Sequence, residues 1–252
     1  MVKIAVFDSG LGSLPVINAI QKICKSEIIY FADQKNFPYG NKSKKQLDIV
    51  IRQTIKILEE NFSPDLIVIA SNTPSLMVKI TSKKVIRVYP PIREAMIISK
   101  TKNIAILGTK AAIKSKSLSS YIKKFNFSKD KKIHKVNSSV LVELVESNKF
   151  ITDKVYCKKI IKKTFGDVFS AKIDVATLSS THLSFLKPLL SSEFPQVKFV
   201  DPVDMVARKV LANIKKESNK NTIKIFTSGN TKLFEKNLRK LGIRSKVNYL
   251  ST

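Results

Sequence analysis

Cysteine is scarce in this chain of 252 residues, and long apolar runs are absent. Cys24 and Cys157 have no CxxC neighbour and no metal-ligand spacing, so neither a disulfide framework nor a metal site is expected. No stretch reaches the roughly 18 uninterrupted apolar residues of a membrane-spanning helix. The N-terminus also lacks the segments of a secretory signal. We therefore expect a cytoplasmic protein that uses neither a metal nor a membrane.

Acidic residues are few as well: 19 Asp and Glu stand against 46 Lys and Arg, which gives a formal net charge of +27. Such an excess can indicate nucleic acid binding, because neutralised phosphates dominate that affinity. The alternative is a lysine-rich composition spread over solvated helix faces. The lysines lie in short scattered runs, without an aromatic stacking motif or a helix-turn-helix pattern. This favours the second interpretation, and nucleic acid is not expected to be the main partner.

Motifs for nucleotide cofactors are also missing. Gly10 and Gly12 fall short of the GxGxxG fingerprint, and no GxxxxGK[ST] phosphate loop occurs. No cofactor is therefore predicted.

What the sequence does contain is a regular alternation of short apolar runs with helix-period segments. Strands are predicted at 3–7, 27–31, 65–70, 85–88, 103–107, 132–136, 174–178, 198–200, 222–227 and 245–249. Helices are predicted at 14–25, 44–61, 92–99, 111–125, 140–148, 153–165, 181–190, 205–216 and 231–241. Because the strands are apolar throughout, this order indicates an α/β fold with parallel sheets covered on both faces, and functional loops at the carboxyl ends of strands.

Two segments of the first half are echoed in the second. Residues 4–10 resemble 104–109, and residues 65–73 match 174–182. Both copies of the second pair begin with Asp and end in small polar residues. Two echoes in the same order predict a duplicated unit, that is, two pseudo-symmetric doubly wound domains with mostly parallel sheets, whose hydroxyl clusters face each other across a cleft.

Four loops near strand ends hold the residues that could carry chemistry: 8–13, 38–40, 71–73 and 180–182. Short polar side chains and turn N–H groups form anion sites, so these loops suit a small ligand with carboxylate groups. Each residue also has a structural alternative. Asp8 could cap a helix, Ser71 and Ser180 could be turn residues, Tyr39 a turn aromatic and His182 a structural histidine.

The order of these loops resembles the cofactor-independent glutamate racemase family. Residues 7–12, FDSGLG, are similar to its FDSGxG opening, and Asp33 with Pro38-Tyr39-Gly40 is similar to its D…PYG segment. Residues 70–73, ASNT, stand where the family has ACNT, and residues 178–182, LSSTH, where it has LGCTH. With weaker similarities around 109, 146, 201 and 228, the match spans roughly residues 3 to 242.

The resemblance implies a two-domain isomerase that interconverts L- and D-glutamate, or a related acidic amino acid, between its domains. One domain would comprise 1–97 completed by 206–252, and the other 98–205. In the family, one thiolate removes the α-proton and a second thiol returns a proton on the opposite face, without metal or pyridoxal phosphate. A homodimer is implied as well. The expected substrate-binding residues are Ser9, Pro38, Tyr39, Gly40, Asn72, Thr73, Thr109, Glu146 and Thr181.

Both positions of the family's catalytic cysteines hold serine, Ser71 and Ser180. A thiol has a pKa of about 8.5, whereas a serine hydroxyl is a far weaker acid and its alkoxide is scarcely populated at neutral pH. Proton abstraction then needs a partner base, for which the resemblance offers Asp8 beside Ser71 and His182 beside Ser180. These four residues are the predicted catalytic set.

Other functions stay open at this point. A racemase-fold protein without turnover could bind a small carboxylic acid, and a basic surface could bind nucleic acid. A hydrolase-like use of Ser180 activated by His182 is disfavoured, because near-adjacent positions at one helix start rarely give the needed hydrogen-bond geometry.

Overall fold

The computed structural model describes residues 2–128, 130–170, 172–214 and 217–252 of the chain. Its strands are β1 (Lys3–Asp8), β2 (Glu27–Ala32), β3 (Leu66–Ile69), β4 (Val85–Arg87), β5 (Asn103–Gly108), β6 (Lys132–Asn137), β7 (Val175–Ser179), β8 (Lys198–Val200), β9 (Thr222–Thr227) and β10 (Val247–Tyr249). Its helices are α1 (Ser13–Ile23), α2 (Lys44–Phe62), α3 (Asn72–Met77), α4 (Ile92–Ile98), α5 (Lys110–Lys114), α6 (Lys116–Lys123), α7 (Ser139–Glu146), α8 (Lys149–Thr152), α9 (Lys154–Phe169), α10 (Leu183–Glu193), α11 (Val203–Leu211) and α12 (Thr231–Lys240). Two 3-10 turns, Gln34–Asn36 and Tyr39–Asn41, lie between β2 and α2.

The strands form two parallel sheets. The first has the order β10-β9-β2-β1-β3-β4 and the second the order β6-β5-β7-β8. The run β2-β1-β3-β4 therefore has the same order as the whole second sheet, which confirms the predicted pseudo-symmetric, doubly wound α/β fold. In each unit the second strand lies on one side of the first strand and the third strand lies on the other side. Ligand crevices are therefore expected at the carboxyl ends of β1 and β3 and of β5 and β7.

The central strands are apolar throughout because both of their faces are covered. In β1, Ile4 and Val6 belong to one core cluster, whereas Ala5 and Phe7 belong to a second cluster that includes α2 residues. Side chains alternate along a strand with a period of two, so burial of both faces requires a continuous apolar run. The first strand of the second sheet, β5, alternates between two clusters in the same way.

One predicted helix is two helices in the structure. The segment 111–125 was expected to be continuous, but Ser115 is extended (φ −71°, ψ 141°) and separates α5 from α6. Its hydroxyl accepts a hydrogen bond from the Leu118 N–H at 3.0 Å. Serine offers the backbone this local alternative to the helical bond, and the prediction of one helix is therefore wrong.

Other differences concern helix ends and short elements. The sequence does not predict the short helices α3 and α8, and α9 ends four residues later than expected, at Phe169. The helix predicted at 181–190 begins at Leu183, because Thr181 and His182 belong to the turn before it. The helix predicted at 205–216 corresponds to α11, and residues 215–216 lie outside the described residues.

The two sheets come from different parts of the chain. The first uses strands from 3–87 and 222–249, and the second uses strands from 103–200. The predicted domain boundaries at 97/98 and 205/206 remain a prediction, and the second of them falls inside α11, which packs on α1. In the described part of the chain, no helix combines the length and the apolar character needed to cross a membrane.

Candidate active site

A cavity lies where loops from the carboxyl ends of β1, β3, β5 and β7 meet. It has about 510 Å³ of empty space counted to its open mouth. Both sheets contribute to its walls, as the two echoed loops lead one to expect. The lining residues are Asp8, Ser9, Phe37, Pro38, Tyr39, Gly40, Asn41, Ser71, Asn72, Thr73, Thr109, Ser139, Val142, Glu143, Ser180 and His182.

The two serines of interest occupy equivalent positions in the repeated units. Ser71 follows β3 and Ser180 follows β7, and both line the same cavity. Ser71 is the residue before α3, yet its hydroxyl makes no capping hydrogen bond. Ser180 uses its backbone carbonyl, which accepts from the Leu183 N–H at 2.9 Å, to hold the following turn. Both hydroxyls therefore belong to residues that line one cavity, and neither hydroxyl caps a helix.

Asp8 ends β1 with a buried carboxylate at the floor of the site. Its Oδ1 accepts the Ser9 N–H at 2.7 Å, while its Oδ2 has no hydrogen-bond partner among the described residues. The N-cap of α1 is Gly12, so Asp8 is not the cap of that helix. Burial raises the pKa of Asp8, while the charge of His182 and the Ser9 N–H partly oppose this and the nearby Ser71 hydroxyl lowers the pKa slightly. The Ser71 hydroxyl lies near this carboxylate without a hydrogen bond to Oδ2.

His182 lies between two carboxylates. Its Nε2 is 2.6 Å from Glu146 Oε1, and its Nδ1 is 3.7 Å from Asp8 Oδ2. Burial alone would lower the pKa of His182, but the hydrogen bond to Glu146 and the charges of Asp8 and Glu146 outweigh it and raise that pKa. Asp8 therefore lies beside both the imidazole and Ser71. His182 is not hydrogen-bonded to Ser180.

Glu146 reaches this centre from the last turn of α7. Its Oε1 also accepts the Leu11 N–H at 2.6 Å, so it ties the turn after β1 to the histidine after β7. Gly12 leaves the space for this arrangement, because a Cβ there would overlap Asp8 Oδ2 and stand 2.7 Å from His182 Cε1. Glu146 does not line the cavity, so its predicted place in substrate binding is indirect in this geometry.

The segment after β2 supplies the wall that the PYG motif predicts. The Tyr39 hydroxyl donates to Asp33 Oδ2 at 2.8 Å, and the Ser228 hydroxyl donates to Asp33 Oδ1 at 2.8 Å. Asp33 therefore fixes the turn and leaves the backbone of Tyr39 and Gly40 at the cavity. The Tyr39 N–H points to the Ser9 hydroxyl at 3.4 Å, which joins two of the predicted binding residues.

The loops after β3 and β5 meet through a pair of hydroxyls. Thr73 Oγ1 and Thr109 Oγ1 are 2.8 Å apart, and both residues line the cavity. Asn72 donates from Nδ2 to the Val88 carbonyl at 3.3 Å, while its buried Oδ1 has no partner among the described residues. Thr181 instead donates to the Ala70 carbonyl at 2.9 Å and lies behind the lining.

Some lining residues were not anticipated from the sequence. Ser139, Val142 and Glu143 come from α7, and Phe37 and Asn41 flank the PYG segment. The two flanking residues could have been suspected from their neighbours. Nothing in the local sequence marks the face of α7, because only the packing of the two units brings it to the cavity.

Comparisons with known proteins agree with this geometry. The chain is 30% identical over 249 residues to a glutamate racemase of Actinobacillus pleuropneumoniae serotype 3, covering 92% of each chain. It is 32% identical over 243 residues to a glutamate racemase of a Sulfurihydrogenibium species, covering 92% of this chain and 91% of the relative. No family model matches the chain.

Solved structures show the same fold. A glutamate racemase isoform from Bacillus anthracis superposes with a TM-score of 0.85 at 24% identity, covering 99% of this chain and 97% of that one. The enzyme from Francisella tularensis, solved in complex with D-glutamate, gives a TM-score of 0.81 at 22% identity, with the same coverage. The resemblance stated from the sequence is thus confirmed, and the chain belongs to the glutamate racemase family.

Proposed function

We propose that this protein is an isomerase that interconverts L- and D-glutamate, or a closely related acidic amino acid, without a cofactor. One observation carries the proposal: Ser71 and Ser180 line one cavity from equivalent positions of two repeated units. A two-sided proton transfer needs a donor and an acceptor on opposite faces of the α-carbon. The equivalence of the two serine positions supports such an arrangement.

The proton carriers are Asp8 and His182, with the serine hydroxyls as the groups nearest the substrate. For one enantiomer, Asp8 takes the α-proton directly or through the Ser71 hydroxyl. His182 then delivers a proton on the other face through Ser180, for which its Nδ1, 3.7 Å from Asp8 Oδ2 in the free protein, must approach the Ser180 hydroxyl. The C–H bond broken on one face is replaced by one on the other, which leaves Asp8 protonated and His182 neutral. General acid–base catalysis is most effective when the pKa lies near the working pH, and the raised pKa of Asp8 moves it in that direction.

The lining suits a zwitterion with carboxylates, although no lysine or arginine contributes to it. Hydroxyls and backbone N–H groups hold carboxylates well in a partly desolvated site. Thr73, Thr109 and the Gly40 backbone are the proposed carboxylate ligands. Asn72 Oδ1 is a buried acceptor without a partner among the described residues, and it is the proposed ligand of the ammonium group. Ser9, Pro38 and Tyr39 complete the wall.

The test is an isotope experiment on the purified protein. L-glutamate is incubated with the protein in deuterated water, and the enantiomers are separated and weighed by mass spectrometry. We expect D-glutamate that carries deuterium at the α-carbon, and no conversion by a variant with both Ser71→Ala and Ser180→Ala. Neither exchange nor inversion with L-glutamate and L-aspartate, in a protein whose melting temperature rises when they are added, would replace this proposal with a binding function.

Three further features follow from family membership and are proposals at the same level. We infer a homodimer, a cytoplasmic location, and two domains bounded at 97/98 and 205/206. The separate origin of the two sheets along the chain supports the domain division. Sedimentation equilibrium would measure the dimer directly.

A further inference from the structure

Three titratable groups, Asp8 and His182 buried and Glu146 half-buried, form one chain at the floor of the cavity. Asp8 Oδ2 is 3.7 Å from His182 Nδ1, and His182 Nε2 is 2.6 Å from Glu146 Oε1. The side chains of Asp8 and His182 are 1% and 6% exposed, so water screens their contact poorly. The chain links the two sides of the cavity that the proposed racemisation uses.

The hydrogen-bonding capacity of these groups fixes where protons sit. An ionised carboxylate only accepts hydrogen bonds, and Glu146 Oε1 already accepts the Leu11 N–H at 2.6 Å. His182 Nε2, at the same 2.6 Å from that oxygen, must therefore carry a hydrogen. A neutral His182 then presents the lone pair of Nδ1 to Asp8.

Two buried acceptors facing each other are unfavourable, because each loses water without gaining a donor. Asp8 Oδ2 has no other partner among the described residues that could relieve this. One additional proton on this pair removes the conflict, because it makes the 3.7 Å contact between Oδ2 and Nδ1 an ion pair. Both groups have a raised pKa, which agrees with a proton retained at this contact.

We propose that Asp8 and His182 hold this one proton in common, and that its passage between Oδ2 and Nδ1 restores the free enzyme after each inversion. The inference rests on the proposed racemisation. After one turnover Asp8 holds the α-proton and His182 has given one away. Transfer of a proton from Asp8 to His182 recovers the starting form with no net uptake or release of protons. The pair exchanges with solvent between turnovers, so the product formed in deuterated water carries deuterium.

The other groups around the cavity floor do not take part in this proton transfer between Asp8 and His182. Tyr30 lies under the turn, but its hydroxyl donates to the Gly10 carbonyl at 2.7 Å. Glu143 lines the cavity from the exposed side of α7, and no lysine or arginine lines it. The nearest cation to Asp8 is therefore the imidazolium. Gly12 keeps the gap between Oδ2 and the ring free of any side chain.

Glu146 acts here as a positioning residue, since it fixes the hydrogen on Nε2 and turns Nδ1 toward Asp8. In Glu146→Gln the amide oxygen can still accept from the Leu11 N–H and from Nε2, but the negative charge beside the ring is removed, so His182 holds its second proton less tightly. The variant is isosteric and tests this charge rather than the packing.

The first measurement needs no turnover. Ring nitrogens of His182 and the side-chain carboxyl carbon of Asp8 are followed by NMR as the pH is raised, with the His134→Gln variant to assign the two histidines. We expect both signals to move in one common step, the ring to stay doubly protonated above its ordinary range, and Glu146→Gln to lower the midpoint. If the Asp8 signal stays flat while His182 titrates, the shared proton is refuted, whether or not the protein racemises glutamate.

The second measurement concerns the return step. In the wild type, racemisation rates should rise to a plateau with substrate concentration, because the return is fast. In Glu146→Gln the return should become slow, so the rate at saturating substrate falls about tenfold and declines further at high concentration of both enantiomers. A Glu146→Gln variant with wild-type rates at every concentration would contradict the role in turnover. Absence of racemisation in the wild type would overturn the proposed function instead.

Discussion

A hydroxyl in place of a thiol at positions 71 and 180 changes acidity much more than shape. The thiolate that the family uses is easily formed, whereas the alkoxide of serine is not. Neighbouring groups must therefore abstract the proton. In this protein, Asp8 and His182 are buried and line the same cavity as the two serines, so they can act as these groups. The serine hydroxyls then pass protons or orient the substrate rather than act as bases.

Restoring both thiols should therefore increase the rate. We expect the variant with Ser71→Cys and Ser180→Cys to racemise glutamate at least about tenfold faster at neutral pH, because a thiol of pKa about 8.5 ionises far more readily than a hydroxyl. Polarimetry or a D-glutamate-specific assay measures the rate. Ser139→Cys, a new thiol elsewhere on the cavity wall, is the control and should not accelerate the reaction; a double-cysteine variant no faster than wild type would contradict this account.

The sequence predicts the position of single residues where a motif marks them. Asp8, Ser71, Ser180 and His182 all line the predicted cavity, because each lies at or shortly after the carboxyl end of an apolar strand. The bond between His182 and Glu146 could not be foreseen, since the two residues are 36 positions apart and come from different elements. Only tertiary packing decides which carboxylate meets the imidazole.

At the scale of elements, the starts of short helices hold the two units together around the cavity. The Thr73 hydroxyl, at the start of α3, meets the Thr109 hydroxyl before α5 at 2.8 Å. Thr109 also caps α5 by accepting the Ala112 N–H at 3.3 Å. The same residue thus stabilises a helix start and positions a proposed carboxylate ligand.

Thr109→Val tests the hydroxyl of Thr109 apart from the volume of its side chain, because valine keeps the shape and removes the hydroxyl. We expect a loss of about 1–2 kcal/mol in the free energy of unfolding, typical of a lost N-cap, together with a raised KM for glutamate. Urea unfolding and steady-state kinetics measure the two effects. Thr109→Ser keeps the oxygen and should retain most of both properties; equal damage from the two variants would show that the hydroxyl is not what matters.

Element prediction succeeds for long periodic segments and fails where short polar residues intervene. The continuous apolar runs of β1 and β5 identify both strands, because both faces are buried. The break at Ser115 is a competition between a helical hydrogen bond and a side-chain cap of similar strength, which composition alone does not settle. The short helix α3 is likewise fixed by its place at the strand end rather than by its own periodicity.

For the whole molecule, the buried pair at the cavity floor links stability to pH. A carboxyl whose pKa is raised on folding binds its proton more tightly in the folded state, so its contribution is largest at low pH and is lost as the pH rises through the folded value. The raised pKa of His182 acts in the same direction, with stability present below its ordinary value of about 6.5 and lost at higher pH. Both effects therefore weaken the fold as the pH rises, from 3.8 upward for Asp8 and from 6.5 upward for His182.

We expect the free energy of unfolding in urea to decrease in the wild type as the pH rises above the ordinary pKa values of these groups, 3.8 for Asp8 and 6.5 for His182. Asp8→Asn should flatten this decrease, because it removes one titrating partner and the extra proton held by the other. Asp130→Asn is the control: the ion pair with Lys102 lowers the pKa of this exposed carboxyl to about 2, so it does not titrate in that range. An unchanged slope in Asp8→Asn would contradict the coupling.

The overall topology could be predicted from sequence because the echoes at 4–10 and 65–73 repeat in order, and a repeated order implies a repeated unit. The relative placement of the units could not, since it depends on packing between surfaces such as the face of α7 that carries Ser139, Val142 and Glu143. The net charge of +27 likewise does not predict the composition of the cavity, which is lined by hydroxyls and carboxylates rather than by lysines.

The most direct test of the two-sided mechanism follows hydrogen at the α-carbon in the single variants Ser71→Ala and Ser180→Ala. Each variant is incubated separately with L-glutamate and with D-glutamate in deuterated water, and deuterium is measured in both enantiomers. We predict that each variant loses inversion, and that one exchanges the α-hydrogen of L-glutamate alone while the other exchanges that of D-glutamate alone. Undiminished racemisation by both variants would contradict the claim that the two serines serve opposite faces of one substrate.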